Sequence, residues 1–161
     1  MPAQIREYRR GDDEAVVALS LRAWAPVFAS TEQVLGHELF VRLHGDWQQY
    51  QARSVRDTLS NRAMHVWVAE GAERRVVAFV AATLNSDRLV GEIGMLAVDP
   101  DYQGGGVGTA LTEFVTDWLR DAGMRVAMVE TGGDPGHAPA RRVYEKVTFT
   151  LAPVSRYFKA L

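Results

Sequence analysis

The chain has 161 residues, of which 47% are hydrophobic, 24% charged and 9% aromatic. That is the length of one domain and the composition of a packed one, and it excludes disordered, collagen-like and coiled-coil classes. There is no cysteine, which excludes disulfides, thiolate catalysis and thiolate metal sites, and the net charge of −2 gives no bulk attraction to nucleic acid or to a membrane surface.

In chain order, Gln4–Arg9 alternates weakly and predicts a first strand. Gly11-Asp12-Asp13 is a breaker followed by a helix cap, and Val16, Leu19 and Ala23 continue at helical spacing until Pro26, which is expected to end or interrupt the helix. Thr31 with Glu32 and Gln33 reads as another start. Leu35, Leu39, Leu43 and Trp47 then recur every fourth residue, with a break near Gly45-Asp46, and the pattern runs on towards Leu59. From Met64 the period changes to two. Met64–Glu70, Val76–Leu84 and Leu89–Val98 read as three strands joined by short turns, an antiparallel meander whose middle strand is apolar on both faces. Leu111, Phe114, Val115, Trp118 and Ala122 mark one face of a clear amphipathic helix, with Gly123 placed as its stop. Arg125–Glu130 predicts a strand parallel to Leu89–Val98, because a helix connects them. Pro139 fits the first turn of a short helix to about Lys146. Thr148–Ala152 and Ser155–Leu161 are the last strand candidates. Met1–Glu7 has no apolar leader, and the longest apolar run, Val76–Ala82, is far too short to span a bilayer; a cytoplasmic location is the expectation.

The most informative stretch is Gln103-Gly104-Gly105-Gly106-Val107-Gly108-Thr109, between a strand and the amphipathic helix. Glycines allow close backbone approach, and successive free N–H groups at a helix start form an anion cradle suited to a diphosphate. The P-loop pattern is excluded because Gly108 is followed by Thr109-Ala110. The dinucleotide fingerprint is excluded because neither glycine pair is followed by a third glycine at the required spacing.

Gln103-x-x-Gly106-x-Gly108, preceded by Leu96-Ala97-Val98-Asp99-Pro100, resembles the acetyl-CoA motif of the GNAT N-acetyltransferases. Pro139–Phe149 resembles the second cofactor segment of that family, with Ala140 four residues before Tyr144. Thr148 stands where the family usually has glycine. The resemblance implies an α/β (α+β mixed) fold: a mixed, mostly antiparallel sheet of about six or seven strands flanked by about four helices. It implies one domain over 1–161, with a substrate-side strand and helices in 1–60, the meander in 64–99, acetyl-CoA motifs in 103–149 and a C-terminal strand in 150–161.

The same resemblance assigns roles. Backbone amides of Gln103, Gly104, Gly105, Gly106, Val107, Gly108 and Thr109 would hold the CoA diphosphate. Leu96, Ala97 and Val98 would pair with the pantetheine arm where the two central strands splay, and one N–H there would stabilise the carbonyl oxygen as charge develops on it. Tyr144 would return a proton to the departing CoA sulfur, and Glu92 would take one from an ammonium substrate. His137 stands seven residues before Tyr144, where many members carry an asparagine that contacts the cofactor, and it is also a candidate base. Ala140 and Tyr144 itself complete the cofactor set. Trp24, Phe28 and Glu130 are the substrate-side candidates. His37 and His44 lack a placed carboxylate and give no metal site. The expected activity is direct acetyl transfer from acetyl-CoA to a primary amine, of a small molecule in the first instance. The alternatives are a protein amino group as acceptor, or a non-catalytic acyl-CoA-binding module. A homodimer is a further expectation, and neither nucleic acid nor membrane is an expected partner.

Overall fold

The computed structural model describes residues 3–161; Met1 and Pro2, part of the stretch read above as leader-free, lie outside the described residues. Strands β1 (Gln4–Glu7), β2 (His65–Glu70), β3 (Val76–Asn85), β4 (Val90–Val98) and β5 (Val126–Val129) form one sheet in that order. The first three junctions are antiparallel and β4–β5 is parallel. The parallel junction follows from the helix between those strands, since a tight turn can join only antiparallel neighbours. The α-helices are α1 (Asp13–Leu35), α2 (His37–His44), α3 (Trp47–Ser60), α4 (Val107–Asp121) and α5 (Ala138–Lys146). No helix among the described residues is long and apolar enough to cross a membrane.

The sheet is sandwiched between two cores. On one face Val16, Val17 and Leu19 of α1 and Val55 of α3 pack on Val68 and Phe79. On the other, Leu111 and Val115 of α4 pack on Trp67, Val80 and Ile93. Val76–Ala82 is buried along its whole length, which explains its unbroken apolar run. Each fully buried Val, Leu or Phe contributes about 1.5–3 kcal/mol.

Three expectations need correction. Among the described residues the mixed, mostly antiparallel sheet has five strands, not six or seven, because Thr150–Leu161 forms no regular element. Pro153 has no N–H for a ladder, and Leu151, Val154 and Tyr157 point to solvent. Pro26 does not end its helix: α1 runs through it to Gly36, where φ of 80° closes the helix with Gly36 N–H on the Glu32 carbonyl. A proline inside a helix removes the bond its own N–H would make and crowds the carbonyl four residues back, and the packing of α1 on β3 and β4 carries the helix past both. Thr31 is accordingly mid-helix, its hydroxyl donating to the Val27 carbonyl at 2.9 Å. The break near Gly45-Asp46 is as expected: the Asp46 carboxylate caps α3 by accepting from Gln48 and Gln49 N–H.

Candidate active site

The site starts from a defect in a ladder. β3 and β4 pair Ala81 with Met95 and then Ala82 with Ile93, so Gly94 is an extra residue on β4. A glycine inside a strand is a usual place for such a bulge. The bulge resets the side-chain alternation. Before it, Ile93 faces the α4 core and Glu92 the α1 side; after it, Met95 and Ala97 face α1 while Leu96 and Val98 face α4. β5 pairs with β4 only over Val90–Ile93. Gly94–Val98 therefore has no strand partner on that side, and the two strands fork.

The upper end of β4 runs into the glycine turn. Asp99, 2% exposed, caps the turn by accepting from the Asp101 N–H at 3.0 Å, and is gripped by Arg22 of α1 at 2.8 Å and by Arg75 at 3.4 Å. Gly104 and Gly106 hold φ of 79° and 87°, the left-handed region where a side chain is strained. Gly104, Gly105 and Gly106 are exposed, and Gly106 caps α4 without any side chain accepting from its first N–H groups. The N–H groups of Val107, Gly108 and Thr109 thus begin α4 unpaired, at the positive end of its dipole. The Gln103 amide turns back onto the Val98 carbonyl at 3.0 Å, so its side chain braces the turn. An open row of N–H groups next to an unpaired strand edge fits a diphosphate joined to an extended, amide-bearing arm.

Beyond the fork the chain passes from β5 into α5. Val143 of α5 lies near Gly108, which brings the two predicted cofactor segments together. Tyr144 packs edge-on against Phe149, and burial pushes its hydroxyl up to about 12, so it stays a phenol at neutral pH. Glu92 is half-buried, one residue pair below the fork and opposite Met128. It lines a groove of about 500 Å³ with Thr83, Arg88, Val90 and Met128. Ala140 is half-buried on α5. Glu130 is exposed just past β5, 3.8 Å from Arg156.

The substrate-side aromatics divide. Phe28, 7% exposed, stacks on Trp47 at 4.9 Å and meets Phe40, His44 and Tyr50 edge-on; it is the centre of a ring cluster joining α1, α2 and α3. Trp24 packs against the α1-side core. His44 is a member of the ring cluster, and His37 pairs with Glu32 at 2.6 Å.

Sequence reading missed two anchors. One is the Arg22–Asp99 pair. The other is a knot after β5: the Ser30 hydroxyl of α1 donates to Asp134 Oδ2 at 2.5 Å, and Asp134 Oδ1 holds His137 Nδ1. The glycines at 132 and 136 were the available signal. A Cβ on Gly132 would fall 2.5 Å from His137 Nδ1, and one on Gly136 would fall 2.5 Å from Ser30 Cβ.

Residues 31–149 match the Acetyltransferase (GNAT) family. The mycothiol acetyltransferase of Saccharomonospora viridis is 32% identical over 86% of this chain and 42% of its own length. The chain spans less than half the length of the curated relatives it matches first. The ribosomal-protein-S18-alanine N-acetyltransferase of Escherichia coli superposes with a TM-score of 0.69 at 21% identity, covering 94% of this chain and 79% of that one. The PaiA N-acetyltransferase of Thermoplasma acidophilum, in complex with coenzyme A, superposes with a TM-score of 0.69 at 14% identity, covering 96% and 94%. With 119 of its 161 residues inside the family match, the chain belongs to the GNAT acetyltransferase family, whose acyl donor is acetyl-CoA.

Proposed function

We propose that the chain is an N-acetyltransferase that moves the acetyl group of acetyl-CoA directly to a primary amine. The observation that carries this reading is the β4–β5 fork below the uncapped glycine turn at α4. The turn from Gln103 to Thr109 would take the diphosphate by its N–H groups, and the free edge at Leu96, Ala97 and Val98 would take the amide arm. Bound acetyl-CoA supplies the activated thioester carbonyl. The residues of the chain do the rest. A backbone N–H at the free edge stabilises the carbonyl oxygen as negative charge grows on it. Glu92, on the α1 side just below the fork, accepts a proton from the arriving ammonium. Tyr144, a phenol at neutral pH, donates a proton to the departing sulfur. Without cysteine no thioester can form on the protein, in keeping with direct transfer.

A small-molecule amine is the proposed acceptor, supported by the mycothiol acetyltransferase relatives. Trp24 and Glu130 are its proposed contacts; Phe28 acts behind them by holding the ring cluster. The proposal includes a cytoplasmic setting, where acetyl-CoA is supplied, and a homodimer. The homodimer is supported by the unpaired outer edge of β5 and the exposed Leu151, Val154 and Tyr157; sedimentation equilibrium showing only monomer overturns that part.

Thermal unfolding with CoA, acetyl-CoA, ATP and NAD in parallel tests the donor. A ligand at about 100 times its Kd adds about 2.7 kcal/mol, or about 5–10 °C for a chain of this size. The expected result is a shift with the CoA species alone. Thiol release with a panel of amines then reads turnover. Tyr144→Phe and Glu92→Gln are each expected to lower kcat about 100-fold, Glu92→Gln with CoA affinity unchanged. A protein amino terminus as the best acceptor would replace the small molecule. CoA binding with no turnover by any amine would leave a binding module.

A further inference from the structure

The acetyl-transfer reading has an unfilled place in its proton balance. The acceptor arrives as R–NH3+ and leaves as R–NH–CO–CH3. A C–N bond forms, a C–S bond breaks, and the nitrogen loses two protons. One proton is matched by the one gained at sulfur and the other goes to solvent. The two protons leave at different stages, one before attack and one from the tetrahedral adduct, and the acetyl-transfer reading assigns only the first, to Glu92.

The knot between α1 and the loop after β5 supplies a second. Asp134 is hemmed in: its side chain is 14% exposed, it accepts from the Ser30 hydroxyl, and its Oδ2 also accepts from the Gly136 N–H at 3.1 Å. Ser30 and His137 hold its carboxyl below the usual range against the opposing effect of burial. It is thus ionised and accepts only, so His137 must donate through Nδ1–H. Nε2 makes no hydrogen bond among the described residues, and in the neutral ring it carries the free lone pair. Arg141 of α5 is the cation fixed against the same loop, donating to the carbonyls of Gly132 and Asp134 at 2.5 and 2.8 Å; from α1 the loop meets the Ser30 hydroxyl. Gly132 and Gly136 leave no room for a Cβ against this group, so the loop is shaped around it. The knot sits where the β5 wall of the fork turns into α5.

We propose that Asp134 is a positioning residue that locks His137 in the Nδ1–H form, so that Nε2 takes the second proton from the amine nitrogen. Glu92 and His137 then act in sequence, from the floor of the fork and from its β5-side wall. Before the next turnover Glu92 and His137 each release a proton to solvent and the Tyr144 phenolate regains one from it, so that one proton is released net. Ser30 of α1 holds the Asp134 carboxylate in place by direct contact.

Two readouts test this. Nitrogen-15 NMR of histidine-labelled full chain, without ligand, should show His137 as the Nδ1–H tautomer. Asp134→Ala should abolish that preference, and Ser30→Thr, which keeps the hydroxyl, should retain it. In thiol-release assays, His137→Gln and Asp134→Ala should each lower kcat about 100-fold with CoA affinity within about twofold. Both should change the pH profile of kcat in the same way, and Glu92→Gln should change it differently. An Nε2–H tautomer in the native chain overturns the proposal, as does a pH profile of kcat left unchanged in His137→Gln. The proposal rests on the acetyl-transfer reading. A native chain that releases no thiol with any amine sinks both, whereas a native chain that turns over with an unchanged His137→Gln profile sinks this one alone.

Discussion

Thr148 shows how a single residue records a constraint. The chain closes α5 by turning Thr148 to φ of 69°, with Phe149 N–H on the Tyr144 carbonyl at 2.9 Å. A β-branched side chain is an outlier there, and it sits where the family usually has glycine. Thr148→Gly should relieve about 1 kcal/mol of strain and raise the denaturant midpoint; an unchanged or lower midpoint refutes this. The glycine turn, Tyr144 and the Thr148 departure were legible because each is a pattern within a few neighbours. Asp99 and Asp134 were not legible as anchors. Their partners Arg22 and Ser30 stand 77 and 104 residues away, and no local rule links such positions. Asp99 read as a strand stop, and it is one, but only the fold shows that it also fastens β4 to α1.

At the scale of elements, α1 carries most of the surprise. Pro26 signals a break, yet the helix passes through, because Val16, Val17 and Leu19 before it are buried against the sheet and Phe28 after it is buried against α2 and α3. The real stop, Gly36, was hidden inside an apolar repeat that continues across it into α2. The corner where α1, α2 and α3 meet is held by rings rather than by aliphatic packing. Phe28→Ala should cost about 3–5 kcal/mol, read as a fall in chemical-denaturation stability. His44 belongs to that corner, and burial lowers its proton affinity. The unfolded chain therefore binds a proton that the folded one resists, and this part of the stability is lost as the pH falls below the ordinary histidine range. The meander and its parallel neighbour were readable from period and turn spacing. The C-terminal segment was misread as two strands: Pro153 interrupts it, it pairs with no strand, and Leu151, Val154 and Tyr157 stay exposed.

At the scale of the molecule, Arg6 of β1 ties the sheet to the start of α1, bonding Asp12 at 2.9 Å and Glu70 of β2 at 2.7 Å. Arg6 holds the Asp12 carboxyl below the usual range. That contribution is complete above the ordinary carboxylate range and disappears as the pH falls through the lowered value. Asp12→Asn should be less stable at neutral pH and should lose stability less steeply on acidification; parallel acid profiles for the two proteins would overturn this.

The two anchors on α1 have a joint consequence. Arg22 is tied to the end of β4 and Ser30 to the loop after β5, and eight residues of helix separate them by about 12 Å. A helix hardly stretches, so this lintel fixes the width of the opening below it. The aperture is set when the chain folds rather than when ligands arrive, and little of the binding free energy is spent on closing the walls. Selection by size then becomes a matter of a rigid gauge, and a change in helix register between Arg22 and Ser30 would reset it.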